Sequence, residues 1–195
     1  MGQRVGVFGG AFDPPHQAHV ALAQAALSQL KLDALHILPT GDAWHKHRGL
    51  TAPEHRLAMC HLAFDALPGV VVNPLELNRA GPTYTVETLQ ELQATHPENQ
   101  WFLLIGADQA RDFQRWKSWS EILRLATLVV ADRNPEAGQW HNPELAQALH
   151  LHMPVLPISA TDIRDRLRQK QPVAPLVPET VLRYIEQHGL YASHP

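Results

Sequence analysis

Six short apolar runs, most of them separated by longer stretches of helical period, alternate along this chain, and that alternation limits its fold more than any other feature. The runs are "RVGVFG" (Arg4 to Gly9), "ALHILP" (Ala34 to Pro39), "GVVVNP" (Gly69 to Pro74), "WFLLIG" (Trp101 to Gly106), "ATLVVAD" (Ala126 to Asp132) and "HMPVLPIS" (His152 to Ser159). Strands buried on both faces read as near-continuous apolar runs, and parallel strands need crossover connections between them. The pattern therefore predicts an α/β protein, a single-domain doubly wound parallel sheet. Helices are expected at about 17–30, 53–66, 84–95, 119–125 and 142–150, with two more near 160–169 and 178–188 closing the chain. No connection is long enough to divide two domains, so residues 1–195 read as one unit.

Composition excludes several classes. With 45% hydrophobic and 18% charged residues the chain has material for a buried core and is not a disordered polymer. A net charge of −3 argues against general affinity for polymeric nucleic acid, although one cleft can still concentrate positive charge. The start "MGQR" runs straight into "VGVFGG", too short for a signal peptide, and no stretch approaches the length of a membrane span. A cytoplasmic protein is expected, monomeric or a small homo-oligomer. Cys60 is the only cysteine and reads as a small buried residue.

In an open parallel sheet ligands bind outside the carboxyl ends of the strands, which directs attention to the loops after Phe8, Leu38, Ile105, Ala131 and Ile158. After the first run, Gly9 and Gly10 suit a tight turn and close approach of a ligand to the backbone. Pro14 and Pro15 then lead into a helix starting near His16 or Gln17, whose free N–H groups and dipole favour an anion. His16 and His19, three residues apart, place both rings on one side of its first turn, where phosphate fits. Two histidines at that spacing also suit a divalent metal or a plain surface, but the stretch lacks a third zinc ligand, and no metal site is expected. The glycines do not match the dinucleotide-binding fingerprint, no acidic residue ends the second run, and no phosphate-loop lysine is present.

The stretch "GGAFDPPHQAH" resembles the nucleotidyltransferase signature, usually Gly-Gly-Thr-Phe-Asp-Pro followed by His-x-Gly-His, and "ISATDIRDRL" (Ile158 to Leu167) resembles the second signature of that superfamily. Between them "GPTYTVETLQEL", "LLIGAD", "FQRWKSW" and "VVADR" follow the order seen in bacterial nicotinate-nucleotide adenylyltransferases, and the tail "VPETVLRYIEQHGLY" is similar as well. The likeness covers essentially the whole chain. It departs at Ala11, where threonine is usual, at Ala18, where glycine is usual, and at "AWHK" (Ala43 to Lys46) in place of Pro-Pro-His-Lys.

The resemblance implies a Rossmann-like nucleotidyltransferase fold with C-terminal helices, and adenylyl transfer from ATP to nicotinate mononucleotide in NAD synthesis. His16, His19, Lys46 and Arg164 would be catalytic. Gly9, Gly10, Ala11, Phe12, His45, Gly106, Asp108, Ser159 and Thr161 would join them in binding ATP, with magnesium carried in on the phosphates. Tyr84, Thr85, Trp116, Lys117 and Arg133 would hold the mononucleotide, Trp116 by stacking on its pyridine ring. Simpler readings stand beside these. Arg164 could be a solvated helix charge paired with Asp162, Asp165 or Glu179, Asp108 a helix N-cap, Lys46 part of a basic loop, and Trp116 a core residue like Trp119. The same chemistry on nicotinamide mononucleotide or phosphopantetheine, and a non-catalytic nucleotide- or metal-binding sensor, are the competing functions.

Overall fold

The computed structural model describes residues 2–41, 49–132, 143–154 and 156–192. Strands β1 (Arg4–Gly10), β2 (Ala34–Pro39), β3 (Val70–Val72), β4 (Gln100–Gly106), β5 (Thr127–Asp132) and β6 (Leu149–His152) form one parallel sheet in the order β3-β2-β1-β4-β5-β6. The helices are α1 (Gln17–Gln29), α2 (Pro53–Phe64), α3 (Thr85–Thr95), α4 (Ala107–Arg111), α5 (Trp119–Leu125), α6 (Ala160–Arg168) and α7 (Glu179–Gln187). The chain winds outward from β1 to β3 and then resumes at β4 on the other side of β1. Strand order thus reverses between β1 and β4, where a crevice opens at their carboxyl ends.

Alternation along the strands builds a core on each face. Val7, Leu103, Ile105 and Val130 pack with Leu89 of α3 and Ile122 of α5. Phe8, Phe102, Leu104 and Val129 pack on the opposite face with residues of α1, α2 and α7, among them Ala26, Phe64 and Ile185. Cys60 lies in that second core, where burial pushes its thiol pKa up and leaves it un-ionised. A third cluster joins Ala18 of α1 to Ile158, Ile163, Val173 and Val177, and so seats the start of α6 against the start of α1.

Most expected elements are found, with four differences. The helix expected at 142–150 is absent: Pro143–Leu145 make a single 3₁₀ turn and β6 begins at Leu149. The last strand is therefore Leu149–His152 and not the run His152 to Ser159, whose Pro154 and Pro157 carry no N–H for a ladder. Gln29 holds its end, donating from Nε2 to the His152 carbonyl at 2.8 Å and accepting from the His152 N–H at 3.1 Å. Finally, β3 is shorter than the run "GVVVNP", and α4 was not expected from the sequence. Among the described residues no helix is long and apolar enough to cross a membrane.

Candidate active site

A cavity of about 800 Å³ opens at the carboxyl ends of β1 and β4. Gly9 and Gly10 line it from the end of β1, Ala11 from the loop that follows, Tyr84 and Thr85 from the start of α3, Asp108 from α4, and Trp116 and Lys117 from the segment before α5. These expected residues are brought together. Phe12, His16, His19, Gly106, Ser159, Thr161 and Arg164 are not among its lining residues, whereas His45, Lys46 and Arg133 lie outside the described residues.

The glycine pair does not make the expected turn. Both residues belong to β1, and a Cβ on Gly9 would meet nothing within 4 Å, so that glycine leaves open space in the cavity. The left-handed position falls on Phe12, at φ 46°, a conformation that costs a bulky residue about 1–3 kcal/mol. Its buried ring is wedged between Phe8, Phe64 and His19, with centroids at 5.4, 5.8 and 5.0 Å.

His16 is the N-cap of α1, and its ring stacks on that of His19, with centroids 3.7 Å apart and planes at 21°. The His16 backbone N–H donates to His19 Nδ1 at 3.2 Å, so the neutral His19 ring carries its proton on Nε2. The helix start is less open to an anion than expected, because the Gln17 N–H already donates to the Leu176 carbonyl at 2.9 Å.

At the other end of the chain Ser159 caps α6, its Oγ accepting from the Asp162 N–H at 3.1 Å. Arg164 is only 8% exposed. It donates from Nη1 to the Asp13 carbonyl at 2.7 Å and from Nη2 to Thr161 Oγ1 at 3.0 Å. The reading of Arg164 as a solvated helix charge is thereby corrected: the three acids proposed as its partners are engaged by Arg166, Arg168 and Arg183. The two signatures, from opposite ends of the sequence, are in direct contact.

Asp108 is not an N-cap, a place taken by Gly106, but stands in the first turn of α4. A Cβ at Gly106 would come within 2.6 Å of the Asp108 Oδ1, so a glycine there accommodates the carboxylate. Trp116 is half-buried, with its ring 5.2 Å from that of Phe113. Lys117 Nζ lies 4.1 Å above the Tyr84 ring and 2.7 Å from Glu87 Oε1, whose hydrogen bond raises the lysine pKa. Its charge is thus partly answered by Glu87.

Sequence reasoning missed a buried carboxyl in the cavity wall. Glu76 is 7% exposed, accepts from the Thr88 hydroxyl at 2.9 Å and is hydrogen-bonded by Thr40 and Thr83, all four lining the cavity. In "NPLELNR" this glutamate reads as a turn charge; the threonines that enclose it come from three separate segments. Burial pushes its carboxyl above the ordinary range, against the opposing effects of those hydroxyls and Arg79. A raised carboxyl makes its stability contribution in full below the unfolded value near 4.3 and loses it as pH rises through the folded value. Glu76→Gln, which resembles the protonated form, should therefore unfold at a higher temperature than wild type at pH 7, the gap closing toward pH 4. Thermal melts across that range test this, and a gap that widens in acid would contradict it.

Among the described residues no group of three or more His, Cys, Asp or Glu side chains could hold a metal ion.

A family model described as cytidylyltransferase-like matches residues 7–166. A protein of Albidiferax ferrireducens named "probable nicotinate-nucleotide adenylyltransferase" is 51% identical over 98% of this chain and 99% of its own. A protein of the same name from Bordetella avium is 41% identical over 97% and 98%. Among solved structures, the Plasmodium falciparum nicotinic acid mononucleotide adenylyltransferase complexed with NaAD superposes with a TM-score of 0.80, covering 97% of both chains at 18% identity. At that identity the likeness speaks for the fold, an α/β nucleotidyltransferase sheet. Matched by the family model across most of its length and by close relatives from end to end, the chain belongs to the cytidylyltransferase-like family, among its nicotinate-nucleotide adenylyltransferases.

Proposed function

We propose that this protein transfers the adenylyl group of ATP to nicotinate mononucleotide, giving deamido-NAD and pyrophosphate in NAD synthesis. The observation that carries this reading is the meeting of the two signatures beside an 800 Å³ cavity that Tyr84, Thr85, Trp116 and Lys117 also line. A phosphate oxygen of the mononucleotide attacks the α-phosphorus, the new P–O bond forms in line, and the bond to the β-phosphate breaks with its electron pair leaving on pyrophosphate. The attacking oxygen is an anion at neutral pH, so no residue has to remove a proton. Catalysis reduces to alignment of two polyanions and stabilisation of charge moving onto the leaving group.

The residues divide that work as follows. The Nε2–H of His19 serves the α-phosphate, with His16 stacked beside it, and Lys46 with His45 serves the β- and γ-phosphates. Arg164 brings a buried positive charge to the first loop, and the hydroxyls of Ser159 and Thr161 keep their own protons for the departing pyrophosphate. Magnesium belongs to the triphosphate and enters with it as part of the substrate. Trp116 stacks on the pyridine ring, whose carboxylate meets backbone N–H groups at the start of α3 and near Lys117. Such donors favour a carboxylate over an amide, which presents N–H groups of its own.

The test is pyrophosphate release from ATP with nicotinate mononucleotide, nicotinamide mononucleotide and phosphopantetheine in parallel. The acid mononucleotide should be turned over at least about ten-fold more efficiently than its amide. A preference for the amide or for phosphopantetheine would replace the acceptor in this reading, and ATP binding without pyrophosphate release would point to a sensor.

A further inference from the structure

We propose that Arg56 and Tyr191, neither of which lines the cavity, are positioning residues for the nucleoside triphosphate, acting through the backbone of the Ala11–Phe12–Asp13 turn. The inference rests on the adenylyl-transfer reading in assigning that turn to the triphosphate.

Arg56 on α2 is 1% exposed, as is Asp13. The guanidinium is divided between two backbone carbonyls distant in sequence: Nη1 donates to Ala11 O at 3.0 Å and Nε to Thr51 O at 2.9 Å. The Asp13 carboxylate is shared in a matching way, Oδ1 accepting from the Tyr191 hydroxyl at 2.6 Å and Oδ2 from the Thr51 N–H at 3.3 Å. Thr51 is therefore held at both its N–H and its carbonyl. It stands three residues beyond the 42–48 segment that carries His45 and Lys46, and one part-buried network ties it to the first loop.

A buried charge is costly, and packing alone would be served at least as well by an apolar side chain of the same volume. What an apolar residue cannot do is hold carbonyls. The Ala11 carbonyl and the Phe12 N–H belong to one planar trans peptide and point in opposite directions. By fixing the carbonyl, Arg56 turns the Phe12 N–H away from itself, while Phe12 is kept at its left-handed φ of 46°. Arg164 holds the next anchored carbonyl, that of Asp13, at 2.7 Å. The residue after it is Pro14, which has no N–H, so the Phe12 amide is the donor this arrangement orients. Burial lowers the Arg56 pKa, and the nearby Asp13 charge acts in the opposite direction.

Tyr191→Phe removes only the hydroxyl and leaves the ring in place. It should weaken binding of a non-hydrolysable ATP analogue about five- to ten-fold, and raise the KM for ATP equally, less than the full worth of a charge-assisted hydrogen bond because the loss reaches the ligand only through the turn. Affinity for the mononucleotide, measured without ATP, should not change. Arg56→Lys keeps the charge but cannot fork to two carbonyls, and should show a larger loss of the same kind. If Arg56→Lys fails to fold, Tyr191→Phe decides alone. Analogue binding like wild type, or parallel weakening of both substrates, would overturn the proposal whatever the catalytic result. If the hydroxyl's loss weakens analogue binding while wild type proves inactive with every acceptor, the positioning role stands and the adenylyl-transfer reading falls.

Discussion

His19→Ala is expected to lower kcat by about two to three orders of magnitude, the cost of removing one donor aimed at charge that develops in the transition state. The ring is poised for that loss. Its Nδ1 accepts from the His16 N–H at 3.2 Å, which puts the neutral ring's proton on Nε2, and the ring stacks on His16 and meets those of Phe12 and Phe8 at 68° and 57°. Alanine also removes the acceptor that caps the His16 N–H, worth roughly 0.5–2 kcal/mol of stability. His19→Asn separates the two effects. Its side-chain oxygen can replace Nδ1 at the cap, but it has nothing at the position of Nε2. Stability should therefore return in His19→Asn while turnover stays low, as read from thermal melts and pyrophosphate-release rates on the same preparations. If His19→Asn recovers both, the histidine is structural and the α-phosphate role is wrong.

What the sequence discloses differs between the sheet and the site for physical reasons. Strands β1, β2, β4 and β5 are buried on both faces, so their apolar runs are continuous and hard to misread. The edge strand β6 is exposed at three of its four residues and reads as "LHLH", whereas the apolar run beside it is interrupted by Pro154 and Pro157. The five-residue α4 is too short to leave a helical period. The two signatures that carry His16, His19 and Arg164 were legible because each is local. Arg56 and Glu76 were not, because each acquires its partners only in the fold. Arg56 reaches Ala11 across 45 residues, and Glu76 is enclosed by threonines from the end of β2, the loop before α3 and α3 itself. The turn at Phe12 was missed because glycine is the residue expected at positive φ, and here buried aromatic packing and anchored carbonyls hold a phenylalanine there instead.

Trp116→Ala should raise the KM for the mononucleotide by about ten- to a hundred-fold, the range expected when one aromatic stacking partner of a heterocycle is removed. The KM for ATP should stay as it is. In the mononucleotide the ribose separates the pyridine ring from the reacting phosphate, so stacking should stabilise ground state and transition state alike, and kcat should change little. The competing view, that Trp116 serves packing, makes a different prediction. Its ring lies 5.2 Å from Phe113 and it adjoins the same apolar core as Trp119, but it is Trp116 that lines the cavity. Trp119→Ala should accordingly lower the unfolding temperature with the mononucleotide KM unchanged, and Trp116→Phe, which retains a stacking face, should recover much of the affinity. A Trp116→Ala protein that melts early yet keeps the wild-type KM would return this tryptophan to the core and leave the pyridine ring without its platform.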